Sequence, residues 1–375
     1  MARTLISTLT LSLLILAVRA QPVVVYVSHD EEHSRSILEQ FERDTGIKIA
    51  ATFDTEDTKT VGLVKRLISE QASPVCDVFW NNECGQTERL REMGLLQAYR
   101  SPVAATIPAR FKDPSGFWTG FGARARVLVW NTDMTSVDKL PKTLEELSNP
   151  RLRGQLAIAK PLTGTTLTHV TALYTVWGAD KTNEWLDALM ANEVRWEMGN
   201  GPVAQRVADG VVPFGLTDTD DVHSRRVRGA HIETHYLDQG DGALGTLVIP
   251  NSVMIMKGAP SLEPAKKLVD YLISAKVEKM LAEGRAAQMP LQPGVETPAH
   301  VKSVQELTTM KVDFGAVGKA IGGRTRDLIE RFEKVQGGQV VEESSSTMAL
   351  VWALIALGLA VLFVWLAVKP KRGTG

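Results

Sequence analysis

Short runs of β-branched and aliphatic residues alternate with amphipathic stretches from residue 22 onward, and this alternation restricts the fold more than any other feature. Pro22–Ser28 (PVVVYVS) reads as a buried strand. Asp30, Glu31 and Glu32 follow, carboxylates that suit a helix N-terminus. Ile37, Leu38 and Phe41 then recur at helical spacing until Gly46 stops the helix. Ile47–Phe53 is a second strand, Val61, Val64, Leu67 and Ile68 mark a second helix, and Val75–Trp80 is a third strand before a helix that ends near Gly94. A β-α-β-α-β order with links this short requires a mostly parallel sheet, so the chain is of the α/β class.

The next part has another texture. Phe117–Asn131 (FWTGFGARARVLVWN) is strand-like, and period-two alternation puts Arg124 and Arg126 on one side of it. Leu156–Ala159 is a strand leading through Gly164-Thr165-Thr166 into a helix, and further helices run over Lys181–Asn192 and Val203–Asp209. In Pro213–Asp221 (PFGLTDTDD) an apolar run stops at Thr217 and gives way to Asp218, Asp220 and Asp221. Ligands of open α/β sheets sit just beyond the carboxyl ends of strands, which makes this acidic loop the leading candidate for a binding site. Thr246–Pro250 is a strand; helices follow over Leu262–Ser274, Lys276–Glu283 and, after Gly322-Gly323, Arg324–Val335.

Both ends read as export and membrane signals. Met1–Ala20 joins Arg3 to an apolar core and a small-x-small ending, as in a signal peptide cleaved after Ala20. Met348–Val368 is 21 residues without a charge; at ~1.5 Å per residue it matches one bilayer core. Lys369, Lys371 and Arg372 follow, so the tail 369–375 is expected in the cytoplasm and the body outside it, tethered to the cell membrane by a single pass. The polar stretch 336–347 reads as a flexible linker. Formal net charge is −1, and the two ends remove five basic residues and no acid, leaving a mildly acidic body unsuited to nucleic acid. Cys76 and Cys84 could pair outside the cytoplasm or stay reduced; two cysteines alone make no zinc site.

Several groups could meet a ligand. Asp218, Asp220 and Asp221 could coordinate a hard cation or pair with an ammonium group, or one of them could cap the next helix. His29 and His33 stand at i, i+4 with acids between them, a spacing that offers imidazoles to a metal and equally suits a solvated helix start. Asn81, Asn82 and Glu83 end a strand. Gly164, Thr165 and Thr166 at a helix N-terminus, with Arg124 and Arg126 adding charge, would instead suit a phosphate, phosphonate or carboxylate. Residues 231–235 (HIETH) lack the order of a zinc protease, and no nucleophile elbow, P-loop or Rossmann fingerprint occurs, so no catalytic residue is assigned.

Val25–Ser28, Asp77–Glu83, Val129–Thr132, Asn149–Gly154 and Gly215–Asp221 together resemble extracellular solute-binding proteins of ABC importers, in their ferric-iron-binding branch. The resemblance spans about residues 22–335. It implies a non-enzymatic periplasmic-binding-protein-like fold of two α/β lobes joined by a strand hinge, with lobe one at 22–128 and 247–335 and lobe two at 129–246. It also implies a permease and an ATPase as partners, and contacts from Ser28, His29, Asn82, Glu83 and Asn251 to a cargo in the cleft. No cofactor is implied; a metal ion, iron foremost, would be cargo, with His29, Glu83, Asp220 and Asp221 as metal ligands. Iron binders of this branch place adjacent tyrosines after the strand that corresponds to Val211–Thr217. Here that loop is Asp218-Thr219-Asp220-Asp221, and no Tyr-Tyr pair occurs in the chain, so phenolate ligation does not carry over. A small organic anion is the alternative cargo, and a ligand-sensing membrane protein is the alternative of another class.

Overall fold

The computed structural model describes residues 21–54 and 60–333. The signal-like segment 1–20, the linker 336–347, the apolar stretch 348–368 and the tail 369–375 lie outside the described residues. Among those described, no helix is long and apolar enough to cross a membrane.

The elements are, in order, β1 (Val23–Val27), α1 (Glu31–Thr45), β2 (Ile49–Phe53), α2 (Val61–Ser69), β3 (Val78–Asn81), α3 (Gly85–Glu92), β4 (Leu96–Gln97) and β5 (Thr119–Asn131). There follow β6 (Leu156–Ala159), α4 (Gly164–Val176), α5 (Ala179–Ala191), β7 (Arg195–Glu197), α6 (Asn200–Ala208), β8 (Phe214–Asp218), α7 (Thr219–Arg226) and β9 (Ile232–His235). The chain ends with β10 (Val248–Met256), α8 (Leu262–Leu272), α9 (Ala275–Glu283) and a helix over 314–333, here α10.

Strand order is β2-β1-β3-β10-β5-β8-β6-β7. In the first lobe β1 pairs parallel with β2 and β3, and β10 closes the group antiparallel to β3 and β5. In the second, β6 lies parallel between β7 and β8, and β8 runs antiparallel to β5. The strand β5 belongs to both. Thr119–Ala125 pair with β10 and Arg126–Trp130 pair with β8, so the strand changes partners between Ala125 and Arg126 without breaking.

Helices cover the sheets, so every residue of β3, β6 and β8 is buried, the pattern of parallel strands enclosed on both faces. Ile37, Leu38 and Phe41 are the buried face of α1, and Gly46 ends that helix in the left-handed conformation at φ 72°. Gly215 matters in β8: a Cβ there would lie 2.6 Å from Val203 Cγ1. Its absence lets α6 pack close on the strand and brings the start of α6 beside Asp218.

The structure alters or completes the sequence reading at three points. The final helix begins at 314 and runs through Gly322-Gly323 instead of starting after them, because Phe314, Val317 and Ile321 continue its buried stripe. The segment Gly199–Gly201 is the opening of α6. Cys76 and Cys84 are both buried and free, the first just before β3 and the second at the N-cap of α3, and burial pushes both thiols upward in pKa.

Candidate functional site

The carboxyl ends of β1 and β3 in lobe one face those of β6 and β8 in lobe two, and the cleft between them holds the site. A cavity of about 30 Å³ lies there. His29 and Asn82 line it from lobe one, Arg124 from the shared strand, and Gly164, Thr165, Thr166, Asn200, Asp218, Asp220 and Asp221 from lobe two. A larger space of about 380 Å³ adjoins it toward solvent, and Asp30, Asp220 and Asp221 line both.

The carboxylates dominate this site. One oxygen from each of Asp218, Asp220 and Asp221 lies within 4.8 Å of the others. Asp218 occupies the N-cap position of α7 but makes no side-chain cap bond; Asp220 and Asp221 sit in the first helical turn. Asp220 accepts from the Asp221 amide at 3.2 Å and Asp221 accepts from the Thr217 hydroxyl at 3.2 Å, and each carboxylate keeps further acceptor capacity. Two arginines answer them. Arg124 donates from Nε to Asp220 at 2.8 Å, from Nη2 to Asn251 at 2.9 Å, and to the Asn82 carbonyl. Burial opposes its charge, but Asp220 and Asp218 outweigh that and hold its pKa above the ordinary value. Arg126, wholly buried, donates to Asp218 at 2.8 Å and to Asn200 at 2.9 Å. Its Nε faces His169 Nδ1 at 3.4 Å, an imidazole that burial, then Arg126, keeps neutral and able to accept. Thr165 donates to Asp218 at 2.5 Å, and Asn200 donates to both Thr165 and Asp218.

Partial positive charge adds to the arginines, because α4, α6 and α7 all begin at the cavity and each helix N-terminus is worth about half a charge. Four carboxylates, Asp30 included, against two arginines and three helix ends leave the empty site close to neutral. It can accept a cation only by redistributing these pairs or by taking a counter-anion with it.

Three predicted contacts lie elsewhere. Glu83 is fully buried but does not line the cavity: its carboxylate accepts from Asn81 at 2.9 Å, from the Gly85 and Gln86 amides at the start of α3, and from Thr168 of lobe two at 2.5 Å. Its oxygens are occupied as a helix cap and an interlobe tie, which corrects its assignment as a metal ligand. Asn251 stands behind Arg124 as its support. Ser28 is buried and does not line the cavity; its amide is bonded to the Trp80 carbonyl. His29 does reach the cavity, stacked on Trp80 at 5.3 Å with Nε2 2.8 Å from the Gln288 amide. His33 lines only the outer space. Asn200 was not singled out from sequence; its place after Gly199 at the head of an apolar-faced helix was the available signal.

Burial raises the Glu83 pKa above the usual carboxylate range. Glu83 therefore binds its proton more tightly in the fold than in the unfolded chain. Its favourable contribution is complete below the unfolded value and is lost as pH rises through the folded one. Relative to Glu83→Gln, the parent protein is expected to lose thermal stability as pH rises above the ordinary carboxylate value of about 4.5. A stability difference that stays constant as pH rises would refute the shift.

Two α/β lobes on a shared strand with a polar cavity between them are the architecture of a solute-binding protein. The family model described as bacterial extracellular solute-binding protein matches residues 74–312, and the chain belongs to that family. Among curated proteins it is 25% identical over 320 residues to iron uptake protein A1 of Synechocystis sp., covering 83% of this chain and 87% of the relative. Iron-bound HitA from Pseudomonas aeruginosa superposes with a TM-score of 0.74 at 23% identity, over 82% of this chain and 99% of that one. AfuA from Actinobacillus pleuropneumoniae, solved with fructose-6-phosphate, gives 0.73 at 22% identity, over 84% and 98%.

Proposed function

We propose that this protein is the extracytoplasmic solute-binding component of an ABC importer, that its cargo is a hard metal ion, ferric iron foremost, and that it catalyses no reaction. The observation that carries the cargo is the convergence of Asp218, Asp220 and Asp221 on a space of about 30 Å³. That inner space accommodates an ion, and its carboxylates would meet the phosphate of a ligand such as that in the AfuA structure with like charge. Carboxylate oxygens are the donors a hard cation prefers. His29 faces them from lobe one, and the near-neutral balance of the empty site favours a small anion bound alongside a trivalent ion. No tyrosine lines the cavity, so the ligand set differs from phenolate ligation.

Lobe one over 22–128 and 247–335 and lobe two over 129–246 would close about β5, where the strand changes partners. Hinge closure of this kind presents the loaded form to a permease and its ATPase. The uncharged run 348–368 and the basic residues after it support a body held outside the cell membrane.

Metal analysis and native mass spectrometry of the chain after exposure to Fe³⁺ test the cargo. One iron per chain is expected, with no thermal stabilisation by sugar phosphates or phosphonates. A metal-free chain stabilised by those anions would reverse the reading in favour of an organic anion.

A further inference from the structure

The last helix touches both lobes. Along α10, Phe314, Val317, Ile321, Leu328 and Phe332 form one buried stripe. Its first half packs on α3 of lobe one. A Cβ on Gly318 would lie 2.9 Å from the Glu88 carbonyl carbon, and Ile321 Cδ1 would lie 2.8 Å from a Cβ on Gly85. Its second half packs on lobe two. Arg324 lies over the Tyr174 ring at 4.1 Å, Arg331 pairs with Asp187 and donates to Asn183 at 2.9 Å, and Phe332 meets Trp196 edge-on at 4.8 Å. A straight helix bound to both lobes opposes their separation. Opening must either bend it or peel it from one side.

Between the two halves stand Gly322 and Gly323. Gly318 has a packing reason, since no side chain fits against Glu88. The pair has none: a Cβ on Gly322 would meet only the flexible Arg89 side chain at 3.4 Å, and one on Gly323 nothing closer than 3.9 Å. Neither has a positive φ that would require glycine. Adjacent glycines weaken a helix and are a recurrent site of kinks. We propose that α10 is a strap across the two lobes and that Gly322-Gly323 is its flexible joint, bending when the lobes part so that each half stays docked. The joint lies at the boundary between the lobe-one contacts, which end at Gly322, and the lobe-two contacts, which begin at Arg324. The strand β5, the return of the chain before β10 and this helix are then three crossings between the lobes, and the helix is the jointed one.

Interlobe distance is the readout. Ser36→Cys on α1 and Ser136→Cys beyond β5 put labels on exposed positions of opposite lobes, while Cys76 and Cys84 are buried and remain unlabelled. Pulsed electron resonance distances are measured on the metal-free full chain, with and without Gly322→Ala/Gly323→Ala. Alanine fits both positions in the closed form, so the pair should fold and should lower the open-to-closed ratio roughly tenfold or more. Lys319→Ala, exposed on the same helix, raises helix propensity away from the joint and should leave the distribution unchanged. The paired alanine variant matching the parent, a shift toward longer distances, or an equal effect from Lys319→Ala would overturn the proposal.

Discussion

Asp220→Ala combined with Asp221→Ala is expected to reduce cargo affinity by well over a hundredfold and to leave a folded body. Losing an outer-shell partner of a metal site costs ~10–100-fold, and these two carboxylates are placed to touch the cargo itself. Both side chains are partly exposed, and their part in α7 is limited to one bond from Asp220 to the Asp221 amide and a favourable first-turn charge worth about 0.3–1 kcal/mol each, so the body should stay folded. Arg124 does lose its counter-ion, but it keeps the Asn82 carbonyl and Asn251 as acceptors. Asp220→Asn separates the two effects by preserving an acceptor for Arg124 while removing a charge. Calorimetric titration with Fe³⁺ reads the affinity, and circular dichroism melting reads the fold. Undiminished affinity in the double variant would place the cargo elsewhere.

The second large effect concerns stability. Arg126→Met should destabilise lobe two by about 3–5 kcal/mol, because it strands Asp218 in the interior without its partner. Methionine supplies comparable bulk, so the loss would report the orphaned carboxylate and not a cavity. Adding Asp218→Asn should recover much of the loss, since a neutral amide can still accept from Thr165 without carrying a buried charge. Urea titration of the single and double variants measures this. A single variant within about 1 kcal/mol of the parent would mean that Asp218 is stabilised mainly by Thr165 and Asn200.

How far the sequence disclosed this site depended on the kind of signal each residue gave. Asp218, Asp220 and Asp221 were legible because an apolar strand that breaks into acids marks a strand end, and strand ends are where such folds bind. Thr165 and Thr166 were legible for a similar reason. Arg124 and Arg126 were placed correctly on one side of β5, but the sequence could not tell whether that side faced solvent. It faces the interior because β10, β8 and the helices enclose the strand, and so two residues expected to attract an anion are already committed to aspartates. Glu83 misled because strand-end position alone does not fix direction; two amides at the start of α3 pulled its carboxylate away from the cleft. Asn200 escaped notice because its importance comes from Gly215, fifteen residues later, which lets α6 approach.

The Arg124–Asp220 pair has a kinetic meaning as well as a structural one. The protein carries its own competitor for the binding site, tethered and never diluted. On the reading of Asp220 as a cargo ligand, cargo must displace the pair, so the observed affinity is the intrinsic affinity multiplied by the fraction of time the pair is open. The same competitor helps at the far end of the transport cycle: once the permease loosens the cargo, re-formation of the pair disfavours recapture and biases the exchange toward release.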